Sequence, residues 1–141
     1  RRRREMKLND LSGRIIGFAV EVHKQLGPGL LESVYHKCLE FELLNNGFNV
    51  QSEVSLPITY KTLCFHNVYK IDLVVENMIV VELKAVEKVL PVHAAQLLSY
   101  LKMSEYGLGL LINFNVPRLA DGVKRIINPL CASGSLCQKR L

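Results

Sequence analysis

Tyr69-Lys70-Ile71-Asp72-Leu73-Val74-Val75-Glu76-Asn77-Met78-Ile79-Val80-Val81-Glu82-Leu83-Lys84 is the stretch that decides the fold. It reads as two strands, Tyr69 to Val75 and Ile79 to Leu83, rich in β-branched residues and joined by a short turn. Alternate residues on a strand share a face. Ile71, Leu73 and Val75 therefore point one way, and Lys70, Asp72 and Val74 the other. On the second strand Ile79, Val81 and Leu83 oppose Val80, Glu82 and Lys84. A two-residue turn at Glu76-Asn77 would put Asp72 and Glu82 on opposite faces. A three-residue turn, Glu76 to Met78, pairs Val75 with Ile79, Leu73 with Val81 and Asp72 with Glu82. The second register is expected, because it gathers one apolar face and one face carrying the charge. Asn77 or Met78 must then supply the turn geometry, and Asn tolerates positive φ better.

Two carboxylates held across a hairpin repel each other and resist burial unless positive charge lies between them. One resolution is a hard divalent cation such as Mg²⁺ or Mn²⁺, with Asp72 and Glu82 as side-chain ligands and the Leu83 carbonyl as a third. Lys84 would share that face, to orient an attacking water or stabilise charge developing on a phosphate oxygen. The competing reading is a solvated face with a Lys84 to Asp72 ion pair, which contributes little when exposed.

Outward from the hairpin the pattern is helical on the N-terminal side. Asn9 to Leu26 carries Ile15, Ile16, Ala19, Val20, Val22 and Leu26 as an apolar stripe and stops at Gly27-Pro28-Gly29. A second helix is expected over about Leu31 to Asn45, with Leu31, Val34, Tyr35, Cys38, Leu39 and Leu44 at helical spacing. Val50 to Tyr60 looks extended, interrupted at Pro57, before a turn at Lys61-Thr62. On the C-terminal side, Pro91 opens a helix to about Glu105, Leu108 to Ile112 is a short buried strand, and Asp121 to Ile127 is expected as a last short helix. The order α-α-β-β-β-α-β-α makes this an α/β domain with a mixed sheet flanked by helices. Residues 1–8 read as a basic extension, 9–130 as the domain, and 131–141 as a polar, mobile tail.

Composition narrows the classes. A chain of 141 residues with 49% hydrophobic content builds one core. No apolar run approaches the length of a membrane span, and Arg1 to Arg4 lead into a charged segment with no apolar leader pattern, so a cytoplasmic location is expected. Cys38, Cys64, Cys131 and Cys137 are scattered without zinc-site spacing and read as ordinary cysteines. The net charge of +5 admits a polyanionic partner. Most of that excess is Arg1 to Arg4: without them, 14 basic residues face 13 acidic ones. Gly27-Pro28-Gly29 lacks the following Gly-Lys-Ser/Thr of a phosphate loop.

Asp72 followed by Glu82-Leu83-Lys84 resembles the PD-(D/E)XK nuclease signature, with Ile71 where the proline would stand. More narrowly, Gly29-Leu30-Leu31-Glu32-Ser33-Val34-Tyr35 resembles the naming motif of the GxxExxY proteins. The runs His23 to Glu32, Val81 to Lys88, Leu90 to His93 and Leu111 to Pro117 resemble the same family, over roughly Leu11 to Leu130. The resemblance implies a restriction-endonuclease-like core and metal-dependent hydrolysis of phosphodiesters in nucleic acid, DNA ahead of RNA. It brings Glu32 to the metal from an early helix, and Gln96 and Tyr100 from the helix after the Glu82-x-Lys84 strand.

Each of these residues also has a reading without catalysis. Glu32 near a helix start is favourable as a capping charge. Gln96 could bond to backbone, Tyr100 could be half core and half polar handle, and His93 is better read as a structural histidine than as a base. Lys70, Lys124 and Arg125 are candidate contacts to phosphates, the last two from the final helix. A homodimer would help engage both strands of a duplex. The rival function is a nuclease-like module that binds nucleic acid or protein without turnover.

Overall fold

The computed structural model describes residues 2–132, with side chains described for 7–130. The tail expected over 131–141 therefore lies almost wholly outside the described residues. Helix α1 (Arg2–Leu26) begins seven residues before the expected Asn9, and α2 covers Glu32–Asn45. Strands β1 (Val50–Tyr60), β2 (Leu63–Val75) and β3 (Ile79–Lys84) follow. Helix α3 (Pro91–Ser104) leads into β4 (Leu108–Asn113), β5 (Val123–Ile127) and a terminal turn of helix, α4 (Pro129–Ala132).

The five strands lie in the order β1-β2-β3-β4-β5. Neighbours are antiparallel except β3 and β4, which run parallel with α3 as the crossover. The mixed sheet flanked by helices is thus as expected from sequence. One face is covered by α1 and α2 through Leu11, Ile15, Ala19, Val22, Tyr35, Leu39 and Leu43, which pack on Leu73, Val75, Ile79, Val81 and Leu83. The other is covered by α3 through Leu97, Tyr100 and Leu101 over Val74, Val80 and Leu111. On α2 the buried positions are Tyr35, Leu39 and Leu43, whereas Leu31, Val34 and Leu44, expected on the apolar stripe, are exposed.

The β2–β3 register is the three-residue form: Leu73 pairs with Val81 and Val75 with Ile79. Glu76 and Asn77 both take positive φ in the turn, at 53° and 56°. Asn77 was the better candidate. Glu76 is held there by Asn49, whose N–H donates to the Glu76 carboxylate at 2.6 Å and whose carbonyl accepts the Glu76 N–H at 2.8 Å.

Three expectations are corrected. Asp121 to Ile127 is not a helix: a 3-10 turn (Leu119–Gly122) precedes β5, which pairs along β4 from Ile112–Val123 to Leu108–Ile127. The β-branched Val123, Ile126 and Ile127 suit that edge. Strand β2 starts at Leu63, six residues early, because Leu63 to Phe65 pair with β1 although they are not buried. Finally, Ile71 does not share a core with Leu73 and Val75 but joins the α3 side. Strict alternation fails there because Glu53, between the Ser52–Leu73 and Val54–Ile71 pairs, has φ 53° and bends the hairpin. Val74 and Val80 likewise make the charged face a second core beneath α3.

Gly122 ends the 3-10 turn hard against the backbone of Asn113. A Cβ there would lie 2.2 Å from the Asn113 carbonyl oxygen, a contact that only backbone movement can relieve. Gly122→Ala is expected to lower the unfolding free energy by about 1–3 kcal/mol, measured as a lower urea midpoint at unchanged slope. An unchanged midpoint would mean that the β4–β5 junction yields freely.

Candidate active site

The regular β2–β3 ladder reaches Leu73–Val81 and is then continued by side chains. The Asp72 N–H donates to Glu82 Oε1 at 3.1 Å, and the Leu83 N–H donates to Asp72 Oδ2 at 2.8 Å. The strands are therefore held by two carboxylates where backbone pairing would otherwise be. Each carboxylate keeps its second oxygen outside these bonds. In a strand the N–H and C=O of one residue point to the same side. The Leu83 carbonyl is thus also directed toward β2, whereas the Lys84 carbonyl, on the other side, accepts the Phe114 N–H at 2.9 Å.

Lys84 is half-buried at the end of β3, beside Asn113 on β4. The segment after it is clamped: Asn113 Oδ1 accepts the Val86 N–H at 3.1 Å and Asn113 Nδ2 donates to the Val86 carbonyl at 2.9 Å. Glu32 enters from the first turn of α2. Tyr35, three residues on, is fully buried and stacks on Phe114 at 4.4 Å. Its hydroxyl donates to the Gly27 carbonyl at 2.6 Å and accepts the Leu30 N–H at 3.1 Å, pinning the loop that places Glu32.

These groups act on one another electrostatically. Glu82, only 9% exposed, has its carboxyl pushed up to about 8, first by burial and then by the Asp72 charge, against the opposing pull of the Asp72 N–H and Lys84. Burial also raises Asp72, opposed by the Leu83 N–H, His36 and Lys84. Glu32 is exposed as a residue, yet desolvation of its carboxyl, ahead of the Asp72 charge, raises it too. Tyr100 is pushed up to about 12 by burial, Glu82, Tyr69 and Asp72. Gln96 Nε2 donates to its hydroxyl at 2.8 Å, so both α3 residues border the site.

His36 and Glu53 were not foreseen. His36 stands one turn after Glu32, pairs its Nε2 with Ser52 Oγ at 2.7 Å, and acts on Glu32 and Asp72. The i, i+4 spacing from Glu32 was its only signal. Glu53 raises Asp72 from the bend in β1. His93 is structural, as read from sequence: its Nδ1 accepts the Leu90 N–H at 3.0 Å at the start of α3. Lys70 is exposed on β2 opposite Ser55. Lys124 and Arg125 lie on a strand, not a helix, so alternation separates them. Lys124 pairs with Leu111 on the α3 side, while Arg125 pairs with Leu110 and donates to Asn9 Oδ1 at 2.6 Å on the α1 side.

The donor chemistry fits a hard cation. Two crowded carboxylates with raised pKa values each retain a lone-pair oxygen, and a backbone carbonyl points toward the same gap. Glu32 acts on the pair from α2 through the Asp72 charge, and among the described residues no group of three or more His, Cys, Asp and Glu side chains could hold a metal ion. No helix among them is long and apolar enough to cross a membrane.

A family model described as the PD-(D/E)XK nuclease superfamily matches residues 9–126. The chain belongs to that superfamily, and the sheet and helices above are consistent with its restriction-endonuclease-like fold. Membership supports nuclease activity in general. No curated protein and no solved structure matches significantly.

The raised carboxylates have a consequence for stability. Between about pH 4.5, where Glu82 ionises in an unfolded chain, and about 8, the folded state holds a proton that the unfolded state has released. That contribution is complete below the lower value and is lost as pH rises through the upper one. In metal-free protein the melting temperature is therefore expected to fall across this interval, and less steeply in Glu82→Gln. Parallel pH profiles for the two proteins would show that Glu82 is not held protonated.

Proposed function

We propose that this domain hydrolyses phosphodiester bonds in nucleic acid with a divalent cation, Mg²⁺ or Mn²⁺, and acts on DNA in preference to RNA. The observation that carries the reading is the carboxylate exchange between β2 and β3, with Lys84 next on the same strand. Asp72, Glu82 and the Leu83 carbonyl would hold the cation. When bound, it would polarise the phosphodiester and make a water more acidic. Lys84 orients the nucleophile and stabilises charge developing on the phosphate. Glu32 would approach the cation from α2 as an extra acidic residue beside Asp72, and Gln96 and Tyr100 present polar groups to the substrate from α3. The DNA preference rests on superfamily analogy, as does a homodimer that would engage both strands. Placement within the GxxExxY group rests on the Gly29 to Tyr35 motif, in which Tyr35 positions Glu32 through the loop.

A second reading is a nuclease-like module that binds nucleic acid or protein without turnover. Cleavage of single-stranded, duplex and branched DNA and RNA with Mn²⁺ or Mg²⁺ separates the two. The wild-type chain is expected to cut only with metal, and Lys84→Ala to lose about 10²–10³-fold in rate while melting normally. A metal-dependent thermal shift that Asp72→Asn abolishes, with no cleavage of any substrate, would establish the binding module.

A further inference from the structure

Beyond Leu56 and Tyr69 the β1–β2 hairpin continues as an arm. Ile58 pairs with Phe65, Thr59 with Cys64 and Tyr60 with Leu63, and nearly every residue from 57 to 70 is exposed. Residues directly opposite in a ladder share a face. One face of the arm therefore carries Ile58, Tyr60, Leu63 and Phe65, with Tyr60 59%, Leu63 57% and Phe65 45% exposed. The other carries Thr59 and Cys64, whose Sγ lies 3.2 Å from His66 Nε2. An apolar face held open to water on two strands is stabilised by whatever covers it.

The charge indicates the occupant. From Val54 to Ile71 the chain has Lys61 and Lys70 and no Asp or Glu. Lys61 Nζ lies 5.4 Å from the Tyr60 ring, so cation and aromatic surface form one patch. At the base of the arm Tyr69 packs on Tyr100 at 5.9 Å, and Tyr100 feels the charges of Glu82 and Asp72. Aromatic rings thus lie both at the tip of the arm and at its base, beside the carboxylates. From Asp72 to Leu63 the strand spans roughly 30 Å, enough for several nucleotides.

We infer that this arm is a clasp for single-stranded nucleic acid: unpaired bases stack on Tyr60 and Phe65, Lys61 meets the phosphates, and the strand passes Tyr69 and Tyr100 to the reaction centre. Aromatic rings with interleaved cations match unstacked bases on an anionic backbone, whereas a duplex hides its base faces. The inference rests on the nuclease reading and names its substrate form.

Its test is binding of a labelled thymidine strand of about 20 nucleotides, and of a duplex of equal length, to the full chain without divalent metal. Tyr60→Ala/Phe65→Ala and Lys61→Glu are compared with wild type, their folding checked by thermal melts. Single-strand affinity is expected to fall at least about tenfold in each, with a smaller change for duplex, and the lysine variant should also flatten the salt dependence. Unchanged single-strand binding overturns the clasp, and if metal-dependent cleavage persists the reaction centre stands without it. Arm-dependent binding by a chain that never cleaves leaves the clasp in place and removes the nuclease reading. Loss of a dimer in the arm variants, with binding unchanged, overturns the clasp in favour of a second copy as the occupant.

Discussion

The rest of the site depends on one exchange: the Asp72 carboxylate accepting the Leu83 N–H while the Glu82 carboxylate accepts the Asp72 N–H. Continuing the ladder with backbone carbonyls would satisfy the same donors without charge. Carboxylates in that role bring two acidic groups into a partly desolvated gap, and both resist ionisation there. Such a pair is costly in isolation and becomes favourable when a cation supplies the missing charge. The exchange also turns the Leu83 carbonyl into the gap and leaves Lys84 at its mouth.

Both layers of the molecule converge on that gap. The face under α1 and α2 reaches it through α2, where Tyr35 is anchored between Phe114 and the Gly27–Leu30 loop. Glu32 and His36 are carried there by a helix whose other side is buried in the core. The α3 face reaches it through Gln96 and Tyr100. Asn113 joins the layers from β4, holding the chain after Lys84 by both its amide atoms. Rigid elements on two sides thus fix a site whose centre lacks regular pairing.

Strand β2 serves two purposes along its length. Near the β2–β3 turn it is central sheet, buried on both sides at Leu73 to Val75 beside Ile79 to Val81. Past the bend at Glu53 and the register shift around Pro57 it leaves the body with β1 as an amphipathic ribbon. Pro57 suits that position because it has no N–H to give a continuous ladder.

Much of the centre was legible because it depends on alternation. Only one β2–β3 register buries Leu73, Val75, Ile79 and Val81 together, and that register brings Asp72 opposite Glu82 and places Lys84 two residues beyond. The helix from Pro91 and the structural role of His93 were legible for similar local reasons. What sequence could not show depended on distant partners. Val123 to Ile127 is a strand because β4 offers it an edge, although the stretch is short enough to read as a helix. Ile71 changes core because Glu53, eighteen residues earlier, bends the hairpin. His36 and Glu53 join the site only when α2 and β1 are folded beside Asp72. Local periodicity determined which faces are apolar and which pair of carboxylates meets; the tertiary structure decided what surrounds that pair, because those neighbours are brought by chain packing and carry no periodic signal of their own.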